Sequence, residues 1–253
     1  MQNRRRKAIR LLIGSDPEVF LKNSSGCLVS AIGLIPGTKE DPFQINERGE
    51  CIQVDNVSAE FNVLPSSTPE EMFESINICL QHIEMVSGME TAIVSSDFFP
   101  LGELENPKSW EFGCDPDFSG WHESMMIKHI DRSTMRVCGG HVSVSFEDFD
   151  EDNFDFNRFA RLMDQELCIP LIEAGIETDT RRRQMYGHPA AYRHKPWGIE
   201  YRTLSNQWIK SIEGVTMVFN GVDNAIEKYN NGEDASPVVK TIIETGILIK
   251  QEV

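Results

Sequence analysis

Two charged residues of opposite sign lie two positions apart in the segment GIEYRTLSN, residues 198–206. The segment has the composition of a β-strand, and a strand sends alternate side chains to opposite faces, so Glu200 and Arg202 point the same way. Ile199 and Tyr201 take the other face. Because an exposed ion pair stabilises a protein little, we ask what the two charges face. A carboxylate suits a cation and a guanidinium suits a phosphate.

Three further segments place polar side chains on one face by the same two-residue period. In VSAEFNV this face carries Glu60 and Asn62, and in GGHVSVSF it carries His141. In GSDPEVFL, Asp16 and Glu18 fall in register on one predicted strand. Apolar residues occupy the other positions of these segments and are expected to form the core.

If these strands lie in one sheet, its polar face presents carboxylates, one imidazole and, from a loop before the last strand, Arg193. Carboxylates with a single histidine suit Mg²⁺ or Mn²⁺ better than zinc, which recruits more His or Cys. Each residue alone fits a solvated strand face equally well. The two glycines before His141 permit close approach of another group, and together with four converging segments they favour a site.

Helical signals flank the strands. In STPEEMFESINICLQHIEMV, Thr68 is a predicted N-cap, Pro69 occupies the first helical position, and Glu71 follows three residues after the cap. Apolar periodicity predicts further helices over about 156–174, where Pro170 is expected to kink or end the helix, over 207–229 and over 238–249.

Strands are predicted in the segments EVFLKN, CIQVDNVSAEFNVLP, TAIVSSD, RVCGGHVSVSF and WGIEYRTLS, without regular βαβ alternation. The fold class expected is α+β with a mainly antiparallel sheet. No repeat or linker marks a boundary, so residues 1–253 are expected to form a single domain.

Composition excludes several classes of partner. The net charge of -16 disfavours nonspecific attraction to nucleic acid or anionic lipid, and no apolar run reaches the roughly 20 residues of a membrane span. The six cysteines form no CxxC pair, which fits reduced thiols in a cytoplasmic protein. We therefore expect no nucleic-acid partner, no membrane and a cytoplasmic location, which is the host cytoplasm if the chain is phage-encoded.

Five motifs carry a family resemblance when they are taken in order. GSDPE, VDNVSAEFNVLPS, GCDPDF, GGHVSVS and GHPAAYRHKPWGIEYRTLSN resemble those of the phage-associated type 2 carboxylate–amine ligases, in the superfamily of glutamine synthetase and glutamate–cysteine ligase. The likeness spans about residues 11–208. It implies a glutamine-synthetase-like catalytic domain, in which a curved, mainly antiparallel sheet has helices on its outer face. Its concave face would hold two or more Mg²⁺ ions between ATP and an acid.

The resemblance also implies residue roles. The carboxylates Glu18, Glu60 and Glu200 would bind metal together with His141. Arg193 and Arg202 would bind phosphate, and they are the candidate catalytic residues together with Glu200. Asp16 stands where many relatives carry a glutamate, and the shorter side chain reaches less far. Asp16 is kept as a metal ligand that binds through water, the alternative being that one ion is held differently.

Other assignments rest on weaker signals. Lys39 follows a glycine turn and either contacts a phosphate or solvates a loop, and Lys195 is a further candidate for nucleotide binding. Asp115 and Asp117 either bind the amine substrate or open a turn, and Asn62 is a candidate substrate contact. TRRRQ at 180–184 is predicted to be a basic lip, and HPAAYRHKPWG a loop over the site.

The implied reaction uses ATP to phosphorylate a carboxylate, after which an amine displaces phosphate to form an amide or peptide bond. The acid and the amine could belong to small molecules, peptides or proteins, and the oligomeric state is left open. Two alternatives remain: a metal-dependent phosphotransferase on the same fold, and an inactive binding or virion module that keeps the fold alone.

Overall fold

The computed structural model describes residues 8–111, 117–122, 124–126 and 133–246, with 124–126 described by their backbone. These residues form a mixed α+β structure with a large antiparallel sheet. The predicted fold class is confirmed at this level. The strands in chain order are β1 (Arg10–Ser15), β2 (Glu18–Lys22), β3 (Leu28–Val29), β4 (Phe43–Gln44), β5 (Cys51–Asp55), β6 (Ser58–Ser66), β7 (Glu90–Ala92), β8 (Ser96–Phe98), β9 (Asp117–Ser119), β10 (Ser124–Met126), β11 (Met135–Val137), β12 (Val142–Phe146), β13 (Ala191–Lys195) and β14 (Gly198–Tyr201).

The main sheet has twelve strands in the described residues, and its central path runs β10-β9-β13-β14-β12-β1-β6-β2-β3. The strand β5 pairs with β6 and β4, and β7 pairs with β2, while β8 and β11 form a separate two-stranded sheet. This order brings strands that are distant in sequence side by side. In particular, β14 lies next to β12, and β12 lies next to β1.

The helices are α1 (Pro69–Ser87), α2 (Phe156–Met163), α3 (Ile169–Glu173), α4 (Thr180–Arg183), α5 (Ile212–Asn231) and α6 (Val238–Thr245). A π-helical turn, Asp164–Cys168, joins α2 to α3. No helix in the described part of the chain is long and apolar enough to cross a bilayer. The helix α1 begins as predicted, because the Thr68 side chain accepts a hydrogen bond from the Glu71 backbone N–H and the Glu71 carboxylate accepts one from the Thr68 backbone N–H.

The helices cover one face of the sheet. Apolar side chains from the strands, including Ile13, Phe61, Val144 and Ile199, join those of the helices in one buried cluster. The alternation of the strand segments therefore holds: one face buries hydrocarbon, and the other face is left for the polar residues.

Two local predictions were wrong. The segment GSDPEVFL is two strands, because β1 ends at Ser15 and β2 begins at Glu18. Residues 191–195 form strand β13, paired with β14, where a loop was predicted, so Arg193 lies on a strand. At Pro170 a kink or an end of the helix was predicted. The α-helix over 156–174 is interrupted just before Pro170 by the π-helical turn Asp164–Cys168, and Pro170 occupies the first turn of α3, where its missing N–H costs little.

Candidate metal and phosphate site

Three side chains from separate segments form the first cluster: Asp16, His141 and Glu200. One ligand atom of each lies within 4.8 Å of the others. His141 Nδ1 lies 3.3 Å from Asp16 Oδ1 and 3.8 Å from Glu200 Oε1. His141 and Glu200 are buried and Asp16 is partly exposed. The break between β1 and β2 turns Asp16 toward this cluster and away from Glu18.

The second cluster consists of Glu18, Asp55 and Glu60, which also approach within 4.8 Å of one another. Glu18 and Glu60 are direct partners across β2 and β6, and like charges opposite each other on neighbouring strands destabilise a sheet. Gln53 Nε2 donates to Glu60 Oε1 over 2.7 Å. The repulsion between these carboxylates lowers the stability of the folded chain unless a cation offsets it.

Sequence reasoning missed Asp55. The signal was present, because the segment CIQVD alternates apolar Ile52 and Val54 with polar Gln53 and Asp55. The same two-residue period that singled out Glu60 applies to β5. The structure makes β5 and β6 a hairpin, which puts Asp55 beside the carboxylates of the second cluster.

Three of these carboxylates, Asp16, Glu18 and Glu60, resist ionisation in the folded chain. Burial, and then the charge of Asp55, raises the pKa of Glu18 to about 7. Burial, followed by the charges of Asp16, Asp55 and Glu18, raises the pKa of Glu60 well above its ordinary value. Burial also raises the pKa of Asp16, against the opposing effect of Arg202 and Lys195. Because Asp16 acts on Glu60, the two clusters adjoin.

His141 is held neutral. Burial, reinforced by the nearby charge of Arg202, places its pKa well below the ordinary value. The neutral imidazole is the form that ligates metal. Tyr186 Oη lies 3.1 Å from Nε2, and Arg202 Nη1 lies 3.2 Å from Nδ1, so the ring is fixed on both sides.

Four cations surround the clusters. Arg202 is buried and contacts Glu200, Tyr186 and Asp117, the last at 2.9 Å from Nε to Oδ1. Arg193 Nε lies 3.3 Å from the same oxygen of Asp117. Nearer the solvent, Lys195 Nζ lies 2.5 Å from Glu200 Oε2, and Lys39 Nζ lies 2.8 Å from Asp55 Oδ2. The cations thus extend from the buried base of the site to its rim.

The glycines before His141 have distinct roles. The Gly139 backbone N–H donates to Glu18 Oε2 over 2.8 Å. A Cβ on Gly139 would lie 2.7 Å from His141 Nε2, and one on Gly140 would collide with the Ser205 carbonyl. The groups that approach these glycines closely are therefore the His141 ring and the Ser205 carbonyl. The turn also connects the two clusters, because it precedes His141 of the first and donates to Glu18 of the second.

The weaker candidates occupy different places. Asp117 is buried between the two arginines, and Asn62 donates its amide to Cys51 Sγ at 3.3 Å. Asp115 lies outside the described residues. The predicted basic lip is wrong for Arg182, which is buried and donates to the carbonyls of Cys138 and Thr203. These contacts tie the segment before His141 to the segment after Arg202.

The fold and site together define a mixed α+β protein whose antiparallel sheet gathers acidic, imidazole and guanidinium groups on its polar face. Residues 134–241 match the family described as phage phiEco32-like COOH.NH2 ligase-type 2. This match supports a phage-type carboxylate–amine ligase, in agreement with the resemblance of the sequence motifs. It covers His141, Arg193, Glu200 and Arg202, whereas the second cluster precedes it. No curated protein sequence matches the chain significantly.

Proposed function

We propose that this protein is an ATP-dependent carboxylate–amine ligase that forms an amide or peptide bond through an acyl phosphate. One observation carries the proposal: two adjoining carboxylate clusters lie beside two arginines and two lysines on one sheet face. We also infer that the sheet is of the glutamine synthetase type, with this face as its concave side.

The donor set fits divalent metal. Oxygen ligands with one neutral imidazole are typical of Mg²⁺ or Mn²⁺ sites. The raised pKa values of Asp16, Glu18 and Glu60 support this proposal, because a bound cation would stabilise the ionised forms that burial disfavours. Asp16, His141 and Glu200 would hold one ion, and Glu18, Asp55 and Glu60 another. Bound metal would neutralise phosphate oxygens during transfer.

The chain's cations would orient the nucleotide. Arg193 and Arg202 share Asp117, which holds their guanidinium groups side by side for bidentate contact with phosphate oxygens. Lys195 and Lys39, at the rim, would exchange their carboxylate partners for phosphate when ATP enters. Catalysis of this kind is mostly positioning and electrostatic stabilisation, and it requires no protein nucleophile.

The reaction balances without a further reactant. A carboxylate oxygen of the acid attacks the γ-phosphorus of ATP and releases ADP, which leaves an acyl phosphate. The amine nitrogen then attacks the acyl carbon, inorganic phosphate departs with the bonding pair, and the nitrogen loses a proton.

The test measures ADP release by the purified protein with Mg²⁺, ATP and pooled amino acids and peptides, followed by mass spectrometry of the products. We expect an amide product together with ADP and phosphate. A phosphorylated product without an amide would instead identify a phosphotransferase, and failure to bind Mg-ATP in calorimetry would indicate an inactive module.

The Glu200→Gln variant sharpens this test. Its loss of charge in the first cluster should reduce turnover by at least about 10²-fold, while the circular dichroism spectrum remains that of the folded native chain at the assay temperature. The Glu227→Gln variant, at an exposed position of α5, is the matched control. Turnover by Glu200→Gln equal to that of the control would refute the role of Glu200.

A further inference from the structure

Asp164 is a fully buried carboxylate on the opposite face of the sheet from the clusters, within the π-helical turn. Its Oδ1 accepts hydrogen bonds from Tyr201 Oη at 2.6 Å and from the Ala190 backbone at 2.9 Å. Its Oδ2 accepts one from Trp121 Nε1 at 2.6 Å. Isolated π-helical turns occur frequently at functional sites, and nothing in the proposed reaction uses this carboxylate.

The three short hydrogen bonds come from three neighbouring strands or their immediate flanks, and Thr203 Oγ1 makes a longer contact of 3.5 Å with Oδ1. Trp121 follows β9, Ala190 precedes β13, and Tyr201 ends β14. These strands are adjacent in the sheet, in the order β9-β13-β14. The Asp164 side chain therefore links β9, β13 and β14 through hydrogen bonds on the apolar face of the sheet.

On the polar face, the same three strands carry the phosphate-binding groups. Asp117 lies on β9, Arg193 lies on β13, and Glu200 and Arg202 lie on β14 or directly after it. The distances of 2.9 Å and 3.3 Å from Asp117 Oδ1 to the two arginines depend on how these strands are placed. Tyr201 is the direct link, because it lies between Glu200 and Arg202 and points to the opposite face.

We propose that Asp164 is a positioning residue for the Asp117, Arg193 and Arg202 group, and that it sets the spacing at which the two arginines receive phosphate. The inference rests on the proposed function. It assigns Asp164 no contact with substrate, and its effect passes through Tyr201, Ala190 and Trp121.

Two features argue against a role in packing alone. Burial of a carboxylate costs several kcal/mol unless it is well compensated, and here burial raises the pKa of Asp164 to about 6 despite the three donors and the nearby charge of Arg183. Ala190 adopts a left-handed conformation with φ of 49°, which is unfavourable for alanine and is held by the bond to Asp164. The strained backbone of Ala190 and the desolvated carboxylate of Asp164 therefore meet at the hydrogen bond that precedes β13.

The test uses Asp164→Asn, Trp121→Phe and the double variant. An asparagine retains one acceptor for Tyr201 and Ala190 but turns an N–H group toward the indole N–H of Trp121. The single Asp164→Asn change should therefore displace β9 from β13. Trp121→Phe removes the opposing donor, so the double variant should recover function relative to Asp164→Asn, with Trp121→Phe alone as the matched control.

Two measurements are made well below the unfolding temperature. Calorimetry gives the affinity for a non-hydrolysable ATP analogue with Mg²⁺, and steady-state assays give kcat and KM. We expect Asp164→Asn to weaken analogue binding about tenfold and to lower kcat by on the order of 10²-fold, as small misplacements of catalytic groups do, with partial rescue in the double variant. Native affinity and kcat with only a lowered unfolding midpoint would overturn the proposal.

Hydrogen exchange separates this proposal from the proposed function. Asp164→Asn should accelerate amide exchange in residues 189–203 and leave residues 51–66, which carry Asp55 and Glu60 of the second cluster, unchanged. If the native protein neither binds the analogue nor releases ADP, the proposed function fails. Exchange still decides the role of Asp164 in that case, since native rates in residues 189–203 of the variant would refute it.

Discussion

The second cluster makes a quantitative prediction for Glu60→Gln. Its three carboxylates have ligand oxygens within 4.8 Å of one another, and two unit charges at that distance repel by about 3.5 kcal/mol at an effective dielectric constant of about 20. Lys39 offsets part of this through Asp55. This repulsion and burial raise the pKa of Glu60 well above its ordinary value, so near pH 8 the native chain either bears the repulsion or takes up a proton, and both cost free energy. Replacing Glu60 by the isosteric amide, which can still accept from Gln53, removes this cost and should stabilise the metal-free protein by on the order of 3 kcal/mol.

The metal-bound protein should respond in the opposite way. Loss of one charged ligand weakens Mn²⁺ binding, so the stabilisation that Mn²⁺ gives the native chain should shrink in Glu60→Gln. Urea unfolding in EDTA and in excess MnCl₂ measures both effects, with Glu227→Gln as the control. A variant less stable than the native chain in EDTA, or equally protected by Mn²⁺, would refute the reasoning that the second cluster is a cation site.

Three further outcomes are expected. The pKa of Asp164 is raised from 3.8 to about 6, so its contribution to the unfolding free energy falls as pH rises through this window. In urea titrations, the unfolding free energy of the native chain relative to Asp164→Asn should therefore drop by about 3 kcal/mol between about pH 4 and pH 7. A difference that does not change with pH would contradict this. Gly139→Ala would place a Cβ 2.7 Å from His141 Nε2 and should weaken Mn²⁺ binding, as followed by electron paramagnetic resonance. Thr68→Ala removes the cap on the Glu71 backbone and should cost about 1 kcal/mol in thermal unfolding without changing turnover; a change in turnover would show that α1 contributes to the site.

Local signals in the sequence predicted much of the framework. The Thr68, Pro69 and Glu71 combination identifies the start of α1 because capping depends on neighbouring residues. Alternation identified the polar faces of β6, β12 and β14, because the strand period is a property of the backbone. For the same reason Glu60, His141 and Glu200 could be selected before any pairing was known.

Local signals failed where pairing decides the conformation. Residues 191–195 have the punctuation of a loop, but hydrogen bonds to β14 and β9 make them a strand. Asp16 and Glu18 fit one strand by period, yet the strand breaks at Asp16–Pro17 and sends them to different clusters. Arg182 belongs to a basic run that suggests solvent exposure, but it is buried because two carbonyls from distant segments accept its hydrogen bonds.

The sequence by itself determined which residue types face which side of each strand, and hence that a polar face rich in carboxylates exists. Only the tertiary structure decided that these carboxylates form two groups, that Asp55 joins one of them, and that Asp164 lies behind the arginines. The physical reason is that side-chain period is set within a few residues. Strand order and register are set by the burial of a shared apolar face, which involves the whole chain.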